Sequence, residues 1–292
     1  MKSPKLLTLA VSAALISSAS AIVTIDYVTV GNAGNAADTT GFGAVAYEYE
    51  IGKYEVTNAQ YGAFLNAAAQ TDSYGLYNSI MSSYGITRSG SSGSYSYSVT
   101  GALANRPVVF VSWFDAARMA NWMMNGQGSG STEMGAYTLN GATSGIVLAN
   151  AGAQVYIPTQ DEWYKAAYYN ATSQTYSLYP NGQNTITTAD ANYSSSGSTD
   201  VGTYSGDPSS YGTFDQGGNV HEWNDAVQGS LRRIRGGAYS DSHWTMQSLY
   251  PSNVPPSAEG DTIGFRLASV PEPSSLVLTA LFGAGLVCRR KR

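Results

Sequence analysis

Residues 22–270 contain three helix starts, all before residue 170, and that distribution decides the class of fold open to the chain. Thr57 and Gln60 have capping-box spacing, and Tyr61, Phe64, Leu65 and Ala68 follow as one helical stripe. Ser112 and Asp115 can cap a second helix bearing Trp113, Ala116, Ala117, Ala120 and Met124, where small alanines allow close packing. Thr159 and Glu162 repeat the capping-box spacing ahead of Trp163, Ala166 and Ala167, with first-turn acids that suit the helix dipole. Beyond Tyr169, helical period all but vanishes, and short apolar pieces alternate with turn residues as far as Ile263–Ala268. That half reads as loops pinned around a small sheet, so the chain predicts an α+β domain.

Strand signals are weaker. Val45, Tyr47, Tyr49 and Ile51 alternate with polar or small residues and would share one face of a strand; Val108–Val111 is a continuous apolar run of the kind found in buried strands. The Ser/Gly/Tyr-rich stretches 73–101 and 126–135 read as surface insertions that carry no core. There is no internal repeat.

Both ends look like addresses rather than fold. Residues 1–21 run from Lys2 and Lys5 through an apolar stretch to Ala19-Ser20-Ala21, the order of a removable signal peptide; a buried N-terminal helix would need a polar face that this stretch lacks. Residues 271–292 carry Pro271-Glu272-Pro273, an apolar run from Leu276 to Val287, and Arg289-Arg290-Lys291-Arg292. The run is short against the roughly 20 residues of a membrane span, and its trailing cations would hold that end in the cytoplasm. The tail resembles a PEP-CTERM sorting signal, which implies an exosortase-type processing enzyme, transient membrane anchoring, and delivery to the cell surface or extracellular matrix. A permanent tail anchor shares the same logic.

Between those ends the charge is negative. Six of the fifteen Lys and Arg, and one of the twenty Asp and Glu, fall outside residues 22–270, leaving nine against nineteen and a formal charge of −10. Such a domain repels phosphate backbones, so no nucleic-acid partner is expected. The one cysteine, Cys288, is in the tail, so the domain has no internal disulfide.

Six strings in order, Tyr54-Glu55-Val56-Thr57-Asn58, Pro107 to Trp113, Pro158 to Trp163, Gly218-Asn219-Val220-His221-Glu222-Trp223, Arg235-Gly236-Gly237 and Gly264-Phe265-Arg266, resemble the formylglycine-generating enzyme, or sulfatase-modifying factor, family. The resemblance implies a C-type-lectin-like fold with few long regular elements. Active members use two cysteines after Arg-Gly-Gly to bind copper and oxidise a substrate cysteine. The aligned residues here are Asp241 and Met246, so no thiolate is available for copper binding or substrate capture, and neither copper nor that oxidase activity is expected. A second, iron-dependent branch relies on histidine-rich sites, whereas this chain has only His221 and His243. No metalloprotease, nucleophile-elbow or P-loop motif is present.

One metal constellation survives the resemblance. The family's calcium ligands transfer to the side chains of Asp215 and Glu222 and the carbonyls of Gly218 and Val220, all oxygen donors suited to calcium. In the alternative reading, Asp215 and Glu222 accept hydrogen bonds within a tight turn. His243-Trp244, with Tyr239, Asp241 and Tyr250, could line a pocket for sugars or proteins, or simply cover a Tyr-rich surface. Arg235 and Arg266 are expected to hold carboxylates or carbonyls inside the fold. The leading expectation is a surface-sorted, non-catalytic binding or structural module associated with extracellular polysaccharide or a surface protein. The alternative is an enzyme of unrecognised chemistry using Asp241, His243 or Glu222.

Overall fold

The computed structural model describes residues 22–270. The signal peptide expected over 1–21 and the sorting tail expected over 271–292, with their targeting helices, lie outside the described residues.

All three helices form where their caps predict. Helix α1 (Asn58–Ala68) starts with Gln60 N on Thr57 Oγ1 at 3.3 Å and Thr57 N on Gln60 Oε1 at 2.8 Å. Helix α2 (Trp113–Met124) has the same reciprocal pair between Ser112 and Asp115, and α3 (Gln160–Tyr168) between Thr159 and Glu162. Each box satisfies two amides that helix geometry leaves without partners. Helix α2 is buried nearly all round, from Trp113 to Trp122, as its apolar composition requires. Phe64 of α1 meets Trp122 of α2 at 5.2 Å between ring centroids.

Among the described residues twelve short strands complete the fold: β1 (Tyr27–Val30), β2 (Tyr49–Gly52), β3 (Ile86–Ser89), β4 (Ser96–Val99), β5 (Val155–Tyr156), β6 (Tyr169–Asn170), β7 (Thr175–Tyr176), β8 (His221–Gln228), β9 (Leu231–Arg235), β10 (Ser252–Val254), β11 (Ile263–Gly264) and β12 (Ala268–Ser269). One sheet has the order β1-β2-β12-β5, and a second β10-β9-β8-β11. Strand β11 runs parallel to β8, opposite His221 and Glu222, and so fixes the depth of both side chains. The mixture of three helices with short, mostly antiparallel strands is the expected α+β, C-type-lectin-like architecture with few long regular elements.

Three expectations need correction. Segment 73–101 does carry core: Leu76, Tyr77, Met81, Ile86 and Tyr97 are buried in the main cluster. Its serines occupy the outer face of the β3–β4 hairpin, while Tyr97 turns inward and Asn66 of α1 holds its backbone at both N–H (2.9 Å) and C=O (2.7 Å). Gly62 makes that approach feasible, because a Cβ there would lie 2.4 Å from Val99 Cγ2. Second, Val108, Val109 and Val111 are buried, but the run forms no strand, since the half-buried Phe110 adopts a φ of 59° and breaks the extended path. Third, Val45, Tyr49 and Ile51 are buried but Tyr47 is 49% exposed, because β2 begins only at Tyr49. The 126–135 stretch stays largely at the surface, as expected.

Candidate functional site

The loop leading into β8 bends sharply at Asp215, Gly218 and Asn219, all with positive φ. A Cβ on Gly218 would meet Asn192 O at 2.3 Å, so only glycine allows this approach. The loop delivers Glu222 into the interior, where Arg266 Nη2 donates to Oε1 at 2.7 Å and Arg266 Nε to Oε2 at 2.5 Å. Trp163 Nε1 also donates to Oε2, at 2.7 Å. The remaining Arg266 contacts reach the carbonyls of Gly52 (2.8 Å), Lys53 (3.3 Å) and Phe214 (2.8 Å), so this arginine holds a carboxylate and carbonyls as expected. Arg235 likewise donates to Ser248 O at 3.0 Å.

Two more carboxylates share this environment. Glu55 is buried, with Oε2 accepting from Asn219 Nδ2 at 2.9 Å and Oε1 lacking any partner among the described residues. Burial, then the charges of Asp215 and Glu222, push its pKa well up against the opposing pull of Arg266. Asp215 accepts from Gly202 N at 2.6 Å; burial moves its pKa up to about 6, with that amide and Arg266 pulling the other way. Three carboxylates thus answer to one guanidinium. Their oxygens suit a hard cation in kind, and a cation or a proton must offset the surplus negative charge. Asp215 also lines a cavity of about 20 Å³ with Asp190 and Asp207, whereas both oxygens of Glu222 are already engaged. Among the described residues, no three His, Cys, Asp or Glu side chains are placed together to hold a metal ion. Glu55, which sits inside the Tyr54–Asn58 string, was not singled out by the sequence, although a glutamate beside a helix cap is a readable signal.

The segment after β9 turns through Gly236 and Gly237, whose φ values are 99° and 71°. It places Asp241 Oδ2 2.9 Å from His221 Nε2 and 3.1 Å from the Ala238 amide that donates to it. Burial raises the Asp241 pKa, but the hydrogen bond and charge of His221, with the amide, outweigh it and leave the pKa lowered. His221 Nδ1 is buried without a partner among the described residues. Met246, which the sequence resemblance sets against the second family cysteine, is fully buried beside Tyr179 and Ala191. His243 Nδ1 is 2.8 Å from Tyr179 Oη. Asp241, His243 and Glu222 therefore go to three different partners and do not converge.

Around this segment the surface is aromatic. Trp244 is 46% exposed and meets Tyr250 edge-on at 4.7 Å, and Leu249 beside them is 62% exposed. The Asp241 and Tyr239 carbonyls accept from Ser194 N (2.9 Å) and Ser195 N (2.7 Å), which fastens a second loop alongside.

Comparison with known proteins bears on this arrangement. The family described as the sulfatase-modifying factor enzyme 1-like domain matches residues 29–270. The chain is 26% identical over 185 residues to the serine/threonine-protein kinase pkn1 of Chlamydia caviae, a match covering 56% of this chain and 24% of the kinase. The chain thus spans about a quarter of the curated relative that it matches. Among solved structures, CarF superposes with a TM-score of 0.59 at 24% identity, covering 86% of this chain and all of that one. Treponema denticola variable protein 1 gives 0.58 at 21% identity, covering 87% and 98%. At these identities the two structures establish the fold.

Proposed function

Starting from the premise that the chain belongs to the sulfatase-modifying factor enzyme 1-like family, we propose that it is a non-catalytic binding module of that family, exported and sorted to the cell surface, where it associates with extracellular polysaccharide. The observation that carries this reading is the replaced catalytic segment. Where active relatives resemble one another in paired cysteines, Asp241 is tied to His221 and Met246 is sealed in the core, while Trp244, Leu249 and Tyr250 face outward. Flat amphipathic side chains on a well-fastened loop suit recognition of a sugar or a surface protein.

Export rests on the Lys2-to-Ala21 signal pattern, and sorting on the Pro271-Glu272-Pro273 tail, which an exosortase-type enzyme would process after transient membrane anchoring. A structural calcium ion held by Asp215, Glu222 and the carbonyls of Gly218 and Val220 belongs to the same proposal; the surplus of carboxylate over guanidinium around Arg266 supports it. That ion would supply charge compensation to the interior.

The test is a glycan and peptide array probed with the purified chain, with a Trp244→Ala, Tyr250→Ala variant in parallel. Binding to a glycan class that the double variant loses at unchanged melting temperature is the expected result. No bound class at high protein concentration would overturn the reading. One observation, the His221–Asp241 pair, favours an enzyme of unrecognised chemistry as the second reading; turnover of an array ligand that His221→Ala abolishes would establish it.

A further inference from the structure

Beside the replaced segment, a cleft of about 310 Å³ opens between Ser83, Tyr84, Arg106, Ser196, Ser198 and Tyr239. Its backbone is fixed at Arg106, whose carbonyl accepts from the Asn58 amide at 2.9 Å at the start of α1. Its walls are fixed by the two tyrosines, which both donate to Asp261 Oδ2, Tyr84 at 3.3 Å and Tyr239 at 3.1 Å. Tyr84 also packs edge-on against Phe110 at 5.1 Å.

Arg106 is the cleft's one charged lining residue. Its Nε is buried with no hydrogen-bond partner among the described residues, and it takes no part in the five ion pairs found among them. Nη1 faces the 196–198 loop, where a Cβ on Gly197 would lie 4.0 Å away. Arg118, Arg232 and Arg266 each hold a carboxylate, although Arg118 Nη1 and Arg232 Nε also lack a partner among the described residues; Arg235, likewise outside the ion pairs, is buried and donates Nη1 to Ser248 O, whereas Arg106 lines an open cleft. A buried guanidinium N–H without an acceptor is costly unless something supplies one, and a carboxylate matches the guanidinium fork in two bonds. Tyrosine walls and serine hydroxyls, with Leu103 and Pro107 also lining the cleft, suit a hydroxylated ring that has one apolar face. The volume is at the lower end of small-ligand sites, enough for one sugar unit.

We propose that this cleft is a subsite for a carboxylate-bearing sugar, with Arg106 taking the carboxylate and Tyr84 and Tyr239 flanking the ring. The proposal rests on the binding reading above and names the ligand class of the same face. Residues 22–270 carry a formal charge of −10, so attraction of a carboxylate here has to come from Arg106 at short range, against the repulsion of the rest of the domain.

Calorimetric titration of the purified chain compares tri-galacturonate, neutral tri-galactose, a 6-sulfated galactose oligomer and a short peptide with a free carboxyl terminus. The expected result is binding of the uronate with none of the neutral trimer, weakened tenfold or more by Arg106→Gln, less by Arg106→Lys, and blocked by Ser196→Trp at the exposed rim. Thermal unfolding of all three variants should match the parent, which separates lost binding from lost fold. Equal binding of the neutral trimer, preference for the sulfated sugar or the peptide, or indifference to Arg106→Gln would each overturn the proposal. If the array finds other ligands while the uronate fails, only this inference falls; if neither the array nor the titration finds a ligand, the binding reading falls with it.

Discussion

His221 Nε2 stands 2.9 Å from Asp241 Oδ2, joining the first residue of β8 to the loop that follows β9. The pair makes Nε2 the protonated nitrogen and leaves Nδ1 inside the protein. It gives the replaced segment a fastening rather than a nucleophile.

Replacing His221 with Ala should therefore return the Asp241 pKa toward its ordinary range and cost about 1 kcal/mol at pH 7, the upper value for a pair with this much solvent contact. A lowered carboxylate pKa stabilises above the unfolded value near 4 and ceases to do so as pH falls through the folded value. Urea unfolding from pH 7 downward checks the sign: parent and variant should differ at pH 7, and the difference should shrink as pH falls below about 4.

Asp115, the α2 capping residue, has the opposite sense. Burial drives its pKa up to about 7 despite the Ser112 hydrogen bonds. Between about pH 4 and pH 7 the native state then holds a proton that the unfolded chain has released, so stability falls as pH rises through that window. Asp115→Asn can keep the cap through its carbonyl oxygen and should flatten this slope, as measured by melting temperature against pH.

Arg266→Met strands Glu222 in the interior and should cost about 3–5 kcal/mol. The same change combined with Glu222→Gln should recover part of that loss, because no uncompensated charge remains at that position. Denaturant midpoints of the parent, both single variants and the double variant give the coupling directly.

Calcium should raise the melting temperature and chelator lower it, by up to roughly 3 kcal/mol of stabilisation at a free concentration about a hundred times Kd. Asp215→Asn should remove both responses. A parent protein indifferent to calcium and chelator would remove the ion from the proposal.

Local chemistry made the helices legible: Thr57–Gln60, Ser112–Asp115 and Thr159–Glu162 satisfy amides within one turn, so four residues of sequence contain the whole interaction. The core contribution of segment 73–101 is hidden from composition, because its average is polar while a few anchors, Leu76, Met81, Ile86 and Tyr97, do the burying. Composition averages over faces that a hairpin separates. The site was legible only in part. Asp215 and Glu222 belong to one readable loop, but Asp241 meets His221 through the β8–β9 hairpin, and Arg106 reaches Tyr239 across more than a hundred residues. No spacing rule spans such a gap.

Strand β12, only two residues long, lies between β2 and β5 and bonds to both, and Arg266 just before it binds the carbonyls of Gly52, Lys53 and Phe214. The interior of the first sheet thus depends on the C-terminal stretch of the domain. Residues 22–260 can form their capped helices and the β8–β9 hairpin early, yet β2 and β5 have no common neighbour until Ala268 arrives. Closure of this sheet therefore waits on residues 266–269, and a domain truncated just before them should remain open to proteases however well its helices have formed.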